Sequence, residues 1–352
     1  MNVWHLVYGA DSLTYTLAKA LSWGGYETSI WIVDREYDRR IPDGIQRNLR
    51  QTPRVSLILG DAAALPKVID RLIVQAFPRP IESLDDVSLL APRARKIALI
   101  SAGDRSRSRK AAMRLQWLEA RKLARHAIKV DRVLYKDGFY PRDLLGMVVP
   151  RQVIGFDVHS QFLHNQDLFR AMHARDWEPE SRRSILANFL GSQDSESRKR
   201  ALDSVRPWFV RSGGDQYRIP DGKSMFWHEY SDAAPIGLEP TEFVRRLTDS
   251  DFTLCPRGYS LVTHRPMEAL LRGSIPVLAV SELDLYGVEL ADGENCINVP
   301  EDGWPETIRR LATMGEAEVV RMRRNIFAMF DGSLNYDAIA KRLRARIGVP
   351  DR

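Results

Sequence analysis

The segment from residue 251 to residue 280 constrains the fold of this 352-residue chain more than any other part of its sequence. Residues 252–255 and 275–280 are short apolar runs, and a helical pattern covers about residues 265–272 between them. Apolar runs of this length, bounded by turn residues, are typical of interior strands in a parallel sheet. The segment therefore predicts a strand, a loop, a helix and a second strand of an α/β protein.

The loop between the first strand and the helix carries groups suited to a phosphate. It reads Pro256-Arg257-Gly258-Tyr259-Ser260, which supplies a cation, a flexible glycine and hydroxyl groups. In a strand-loop-helix unit this loop lies at the carboxyl edge of the sheet, where free backbone N–H groups and the positive helix end attract anions. We therefore expect a phosphate ester to bind here, and a nucleoside diphosphate in particular.

Three short motifs in this segment resemble the C-terminal motif block of the exostosin family of glycosyltransferases. That family shares a Cys-Pro-Arg-Gly-Tyr-Gly-like turn, then Arg-x-x-Glu-Ala-Leu and then Gly-x-Ile-Pro-Val; the matching residues here are 255–260, 265–270 and 273–277. A weaker match covers residues 182–202, so the resemblance spans about residues 182–299 and says little about residues 1–180. This chain departs from the family pattern at Ser260, which replaces the second glycine of the turn, and at His264.

The resemblance implies a GT-B architecture, in which two Rossmann-like domains face each other across a cleft and the C-terminal one binds the nucleotide. It also implies an inverting, metal-independent glycosyltransferase, which moves a sugar from a nucleoside diphosphate donor to a hydroxyl of a larger acceptor. A UDP-sugar is the favoured donor, and a cell-surface or capsular glycan is the expected acceptor. We expect no cofactor or metal beyond this nucleotide-sugar co-substrate.

Eight residues are predicted to bind the donor: Arg198, Arg257, Gly258, Tyr259, Ser260, Thr263, Arg265 and Glu268. Glu268 lies one helical turn beyond Arg265, on the same helix face, where it could accept hydrogen bonds from the ribose hydroxyls. Arg265 and Arg257 would neutralise the diphosphate as it leaves, as the matching family residues imply. Alternatively, Glu268 is an exposed carboxylate that pairs with Arg272 four residues later, and Arg198 is an ordinary surface arginine.

Two further acidic motifs have competing interpretations. Asp249-Ser250-Asp251 spells the Asp-x-Asp of metal-dependent glycosyltransferases, but here it precedes a strand and short matches of this kind occur by chance, so we predict no metal site. The sequence Asp292-Gly293-Glu294-Asn295 before the last strand would hold the sugar or simply form a turn.

The general base is expected on the first domain. Asp11 follows the first predicted strand and Asp104 follows the strand at residues 97–100, so both loops open at the carboxyl edge of the sheet. We favour Asp104, with His159 and His164 as the next candidates because imidazole titrates near neutrality. Each aspartate would serve equally well as a helix N-cap.

A basic region distinguishes the N-terminal half of the chain. Residues 93–132 contain 13 Lys or Arg and three acidic residues, a balance of +10 against +6 for the whole chain. Four of these cations are predicted to bind the acceptor: Arg105, Arg107, Lys110 and Arg114. Such a region is either a solvated helix face or a site for a polyanion. Anionic glycans and lipid-linked phosphates are the expected polyanions.

The same region leaves two other functions open. DNA that carries hydroxymethylated bases is an alternative acceptor, as in phage glycosyltransferases of this architecture. In the third interpretation the chain is a non-catalytic nucleic-acid-binding or scaffold protein, although such a protein would have no need of Arg257, Arg265 and Glu268.

Alternating strands and helices divide the chain into two α/β domains. We predict an N-terminal Rossmann-like acceptor-binding domain at residues 1–160, a connection at 161–181, a nucleotide-sugar-binding domain at 182–334 and, at 335–352, a helix that packs back on the first domain. The predicted strands are residues 3–8, 29–33, 55–59, 72–76, 97–100, 148–154, 185–190, 209–211, 252–255, 275–280 and 296–299. The predicted helices are residues 13–23, 241–249, 265–272, 304–313, 316–329 and 335–347.

Composition agrees with an enzyme of this size. A hydrophobic content of 44% is sufficient for two cores, and no apolar run approaches the ~20 residues that span a bilayer. The first residues form a strand rather than a signal segment, so we expect a cytoplasmic protein. Cys255 and Cys296 lie in apolar strand-like runs and are predicted to be buried free thiols.

Overall fold

The structure is a computed structural model of the chain. It describes residues 1–7, 12–32, 43–59, 65–75, 85–100, 117, 121, 123–125, 127–135, 149–155, 157–163, 165–193, 195–219, 222–230, 237–258, 262–279, 284–300 and 302–351. Two compact units emerge, one formed by Met1–Gln166 with Tyr336–Arg352 and the other by Asp167–Asn335. Most of the segment 161–181, which was expected to connect two domains, therefore belongs to the second unit.

The first unit contains a seven-stranded sheet in which every strand pair is parallel, with the order β3-β2-β1-β4-β5-β6-β7. Its strands are β1 (Asn2–Val7), β2 (Glu27–Ile32), β3 (Val55–Leu59), β4 (Arg71–Gln75), β5 (Ile97–Ile100), β6 (Arg132–Tyr135) and β7 (Arg151–Val153). Its helices include α1 (Ser12–Trp23), α2 (Asp43–Gln51), α3 (Asp85–Leu90) and the C-terminal α10 (Tyr336–Arg346). Strands β1 and β4 are nearly continuous apolar runs because both faces of a parallel sheet are covered.

The helix α10 is held to the sheet of the first unit through its C-terminal end. The fully buried Arg71 donates from Nε to the carbonyl of Ile347 at 2.6 Å and pairs with Asp131 at 2.6 Å. Arg132 donates to the carbonyl of Arg346 at 2.9 Å. Cations at this position satisfy the last carbonyls of a helix and complement its dipole. The final helix therefore belongs to the N-terminal unit although 169 residues separate the two parts in sequence.

The second unit contains a mixed seven-stranded sheet with the order β14-β13-β12-β8-β11-β10-β9. The strands are β8 (Ile185–Ser192), β9 (Val210–Gly213), β10 (Gln216–Arg218), β11 (Ser224–Tyr230), β12 (Ser250–Cys255), β13 (Ile275–Leu278) and β14 (Ile297–Asn298). The helices are α4 (Gln166–His173), α5 (Glu196–Val205), α6 (Pro240–Thr248), α7 (His264–Leu271), α8 (Trp304–Thr313) and α9 (Glu316–Met329). Each neighbouring pair in the row β14-β13-β12-β8-β11 is parallel. Strands β10 and β9 continue the sheet beyond β11 as an antiparallel edge.

Sequence patterns and structure differ at short or polar strands and at three helices, α2, α3 and α4, which the sequence did not predict. The sequence did not predict β6, β10 or β11, and β11 reads Ser-Met-Phe-Trp-His-Glu-Tyr, with charged groups among its aromatic residues. Both cysteines are buried free thiols, as predicted. Among the described residues, no helix combines the length and the apolar character needed to cross a bilayer.

Candidate functional site

The strand order of the second unit reverses at β8, which predicts a crevice at the carboxyl end of that strand. Strand β8 pairs in parallel with β11 on one side and with β12 on the other. After β8 the chain forms β9, β10 and β11 on the first side and then crosses to β12 on the second side, so the strand order reverses at β8. In open α/β sheets, ligands bind outside the carboxyl ends of strands at such a reversal. The loops that follow β8 and β12 both end here, and the second one leads into α7.

Arg198 joins the end of β8 to the loop after β12. Its guanidinium donates from Nη1 to the carbonyl of Ser192, the last residue of β8, at 3.0 Å, and from Nε to the carbonyl of Pro256, in the loop after β12, at 3.3 Å. Ser195 caps α5 by accepting a hydrogen bond from the backbone N–H of Arg198 at 3.2 Å, and its hydroxyl donates to the carbonyl of Arg257 at 3.3 Å. The arginine predicted from the weaker sequence match therefore lies beside the predicted phosphate loop.

Gly258 leaves the space that the Arg198 guanidinium occupies. A Cβ atom on Gly258 would lie 3.2 Å from Cζ of Arg198 and closer still to its Nη2, and 3.4 Å from Cγ2 of Thr263. Contacts this short require the arginine to move. Gly258 was predicted to bind the donor, and the structure shows the guanidinium of Arg198 in the space beside it.

Arg265 and Glu268 form a buried ion pair within α7. Arg265 is 9% exposed and Glu268 is 0% exposed, and Nη1 of the arginine donates to the carboxylate. The guanidinium also stacks over Phe243, 4.5 Å from the ring centroid, and its Nε lacks a hydrogen-bond partner among the described residues. Because both groups are desolvated, each depends on the other for charge neutralisation.

The alternative in which Glu268 is an exposed carboxylate paired with Arg272 is wrong. The Arg272 side chain is itself buried and points elsewhere: it donates to the carbonyls of Ala171 and Ala174 at 3.0 and 2.8 Å and pairs with Asp176 at 2.6 Å. Arg272 thus fixes the segment after α4 to the end of α7. Arg272 does follow Glu268 by four residues, but its guanidinium binds groups outside the helix instead of the Glu268 carboxylate.

Two other described residues of the loop, Arg257 and Thr263, are accessible to a ligand. Arg257 is exposed, and Thr263, the residue before α7, is partly exposed and makes no side-chain capping hydrogen bond to the helix. A helix end without a side-chain cap presents backbone N–H groups and the positive end of the dipole. Arg257, Arg198 and this helix end therefore provide positive charge on the same side of the sheet.

Polar groups inside the sheet support the loop from below. Asn188 on β8 donates to Thr253 on β12 at 3.0 Å, and Thr253 is hydrogen-bonded to Ser274 at 2.7 Å. These contacts tie β8, β12 and the start of β13 together and fix the spacing of the loops. Beneath the loop, burial raises the pKa of the Cys255 thiol to about 12, so this cysteine is protonated and inert at neutral pH.

A polar cluster at the end of β11 was missed by the sequence analysis. The Glu229 carboxylate accepts hydrogen bonds from the side chains of Gln193, Arg206 and Trp227. On the preceding residue, Nδ1 of His228 lies 2.7 Å from a carboxylate oxygen of Asp215. Because β11 itself was not predicted, no sequence signal placed these groups near the carboxyl end of β8.

Most of the remaining predicted site residues lie outside the described residues. These are the base candidates Asp11, Asp104 and His164, the loop residues Tyr259 and Ser260, and the acceptor residues Arg105, Arg107, Lys110 and Arg114. His159 is described: it is partly buried, and its Nδ1 accepts a hydrogen bond from the backbone N–H of Gln161 at 3.2 Å. This contact belongs to a short 3₁₀ turn of the first unit.

Both acidic motifs of the second unit contribute to local structure. Asp249 pairs with Arg245 at 3.1 Å and Asp251 pairs with Arg323 at 3.3 Å, so each carboxylate has an arginine partner. Asp292 accepts a hydrogen bond from the backbone N–H of Asn298 at 2.7 Å, which closes the turn before β14. Within the described parts of the chain, no group of three or more His, Cys, Asp or Glu residues could hold a metal ion.

Comparisons with known proteins reveal likeness in fold rather than in sequence. No protein-family model matches the chain, and no curated protein matches it. The structure is similar to a sucrose-phosphate synthase from Thermosynechococcus elongatus, at 12% identity and a TM-score of 0.54, over 97% of this chain and 96% of that one. This likeness and the two largely parallel sheets show a GT-B type of fold with two Rossmann-like units, as predicted.

Two other solved structures have lower TM-scores and add no support to this assignment. One is the glycosyltransferase SnogD from Streptomyces nogalater, at 13% identity and a TM-score of 0.42, over 92% of this chain and 94% of that one. The other is the UDP-GlcNAc 2-epimerase from Methanocaldococcus jannaschii in complex with UDP-GlcNAc and UDP, at 12% identity and a TM-score of 0.43, over 90% and 94%.

Proposed function

We propose that this protein is a glycosyltransferase that uses a nucleoside diphosphate sugar, with a UDP-sugar as the favoured donor. One observation carries the proposal: Arg198 joins the end of β8 to the loop after β12 at the point where the strand order reverses, beside Arg257 and the start of α7. This arrangement offers two guanidinium groups and a helix N-terminus to one anionic ligand. The GT-B type of fold and the three motifs that resemble the exostosin family agree with it.

In the proposed reaction an acceptor hydroxyl oxygen bonds to the anomeric carbon of the donor sugar. The bond from that carbon to the diphosphate oxygen breaks, its electron pair remains on the diphosphate, and the hydroxyl proton passes to a base. Attack from the face opposite the diphosphate inverts the anomeric centre. Arg198 and Arg257 would stabilise the negative charge that develops on the leaving diphosphate, which is the electrostatic role a metal plays in other transferases.

We assign Glu268 to positioning within this site. Ribose contact, which the sequence favoured, needs an accessible carboxylate oxygen, and Glu268 is 0% exposed and paired with Arg265. Its carboxylate instead holds the Arg265 guanidinium beneath the loop. Replacing Glu268 by alanine should weaken nucleotide binding by leaving Arg265 buried without its counter-charge. Donor affinity equal to that of the wild type would remove Glu268 from the site.

For the base we retain Asp104 first and Asp11 second, since each follows a strand at the carboxyl edge of the N-terminal sheet. Replacing the true base by asparagine should abolish turnover and preserve nucleotide affinity. If both single variants retain full turnover, the base lies elsewhere.

A cell-surface or capsular glycan is the acceptor we propose, bound by the basic region at residues 93–132. The alternative acceptor, DNA with hydroxymethylated bases, is suggested by the same basic residues. The alternative to an enzyme is a scaffold or nucleic-acid-binding protein without turnover. DNA binding would fall steeply with ionic strength because it releases counterions. An absence of DNA binding at low salt excludes the DNA acceptor, and donor turnover excludes the scaffold.

The test of the proposal is a thermal-shift screen of the purified protein against UDP, GDP, CDP and dTDP and their common sugars, with and without EDTA. A ligand that binds only the folded protein stabilises it and so raises its melting temperature. At a ligand concentration of 100 times Kd, the free energy of unfolding increases by about 2.7 kcal/mol. We expect UDP to stabilise the protein and EDTA to have no effect on that shift. The absence of a shift with every nucleotide would refute the donor site.

A further inference from the structure

A second cavity lies in the same unit at the opposite edge of its sheet. It has a volume of about 850 Å³ and is bounded by the segments that enter β8, β11 and β12. The crevice described above lies at the carboxyl ends of these strands, so the two sites are separated by the length of the sheet. The charged residues that line the cavity are Arg182, Arg183, Lys223, Asp251, Glu316 and Arg323.

The charges in this cavity do not balance. Four cations and two carboxylates line it, so ionised side chains leave a surplus of two positive charges. Arg323 is only 2% exposed; it pairs with Asp251 at 3.3 Å and donates to the carbonyl of Ser181 at 3.0 Å. Its Nε has no hydrogen-bond partner in the part of the chain that the structure describes. A buried cation with this environment favours a nearby anion.

Burial shifts the pKa values of two charged residues that line this cavity. Burial and, to a smaller extent, the neighbouring charge of Arg323 lower the pKa of Arg183 to about 9. Burial also raises the pKa of Asp251, the carboxylate that pairs with Arg323, and so favours the neutral form of this partner. A bound anion would oppose the shift at Arg183, because a neighbouring negative charge favours the protonated guanidinium.

The rest of the wall combines two serines, Ser184 and Ser224, with the apolar side chains of Leu186, Leu311, Met314 and Val319. Small-molecule sites typically have volumes of about 300–1,000 Å³, apolar walls and a few charged groups that fix the orientation of the ligand. Arginine side chains match the geometry of phosphate oxygens, and a phosphomonoester carries about −1.5 to −2 charges at neutral pH. The negative charge of a phosphomonoester would therefore balance the surplus of positive charge in the cavity.

We propose that this cavity is a second ligand site, which binds a small organic phosphate. The phosphate lies against Arg182, Arg183 and Arg323, and the organic part packs on Leu311 and Met314. This inference is independent of the proposed glycosyltransferase activity, because none of its residues belongs to the loops around Arg198.

The test is isothermal titration with inorganic phosphate and with phenyl phosphate, which adds an apolar group to the same anion. Both are titrated into an Arg198→Ala, Arg257→Ala background, so that phosphate binding at the other edge of the sheet does not contribute. Arg182→Glu is the test variant, since Arg182 is exposed at the cavity and its replacement leaves the core intact. Arg218→Glu is the matched control, an exposed arginine on β10 that does not line the cavity.

We expect saturable binding, with phenyl phosphate tighter than inorganic phosphate. Arg182→Glu should weaken both by at least about tenfold, and Arg218→Glu should change them by less than about twofold. If Arg182→Glu does not fold, Arg182→Gln replaces it, with an expected loss of about threefold or more. Equal affinities in the Arg182 and Arg218 variants, or no saturable binding at millimolar concentrations, would overturn the proposal.

Discussion

Replacing Gly258 by alanine should weaken nucleotide binding by displacing the Arg198 guanidinium. The new methyl group would lie 3.2 Å from Cζ of Arg198 and closer to its Nη2, so the side chain must swing away. That movement breaks the hydrogen bonds to the carbonyls of Ser192 and Pro256, at 3.0 and 3.3 Å. The displaced guanidinium would no longer reach the diphosphate of the nucleotide, and a hydrogen bond to a charged group contributes about 1.5–3 kcal/mol when buried. Since Arg198 is partly exposed, we expect a loss of about 1–2 kcal/mol, or roughly 5–30-fold in affinity.

A double-mutant cycle separates this cause from a general disturbance of the loop. Isothermal titration with UDP is made on Gly258→Ala, Arg198→Ala, the double variant and the wild type. If the glycine acts through the arginine, the double variant should bind like Arg198→Ala alone. Gly332→Ala is the control, because a Cβ atom there meets nothing within 4 Å. Additive losses, or wild-type affinity in Gly258→Ala, would refute the reasoning.

Three further predictions concern stability and are checked by urea denaturation. Burial raises the pKa of Cys255 and of Cys296 from an ordinary 9.0 to about 12. Between these two pH values the thiols ionise in the unfolded chain but stay protonated in the folded one. The free energy of unfolding should therefore fall in this range by up to about 1.4 kcal/mol per pH unit for each thiol. A variant with alanine at both cysteines should lose this part of the slope, and an unchanged slope would contradict the assignment. Gly273→Ala should cost at least about 2 kcal/mol, because φ is +66° and its Cβ would lie 2.5 Å from the Trp177 ring; stability like that of the exposed-glycine control would count against this packing. Arg272→Ala should cost about 2–4 kcal/mol by leaving two backbone carbonyls without their donor, and a loss below about 0.5 kcal/mol would show that these contacts are dispensable.

The sequence predicted elements whose pattern is set locally. Helices α8 and α9 have the predicted bounds, residues 304–313 and 316–329, because their apolar residues recur with helical period. Strands β12 and β13 are continuous apolar runs and were found to within two residues at each end. Strand β11 was missed because His228 and Glu229 interrupt its apolar pattern, and most of their hydrogen-bond partners come from other segments.

The candidate site was predictable in its residues but less so in its contacts. The motifs identified Arg198 and Gly258 separately, and their contact depends on β8 and β12 being neighbours, which is a property of sheet order. Glu268 was expected to face a ligand or Arg272, and its burial follows from packing of α7 against α6 through Phe243. Local spacing specifies which side chains share a helix face, and tertiary packing decides which of them reach solvent.

The most direct test of the account is the affinity of UDP for three proteins, measured by isothermal titration: the wild type, Arg198→Ala and Lys199→Ala. Lys199 is the exposed neighbour of Arg198 on α5 and controls for loss of one positive charge. The account predicts saturable binding to the wild type, a loss of about tenfold or more in Arg198→Ala and wild-type affinity in Lys199→Ala. Equal affinities in all three proteins, or no binding to the wild type, would contradict a nucleotide site at the carboxyl end of β8.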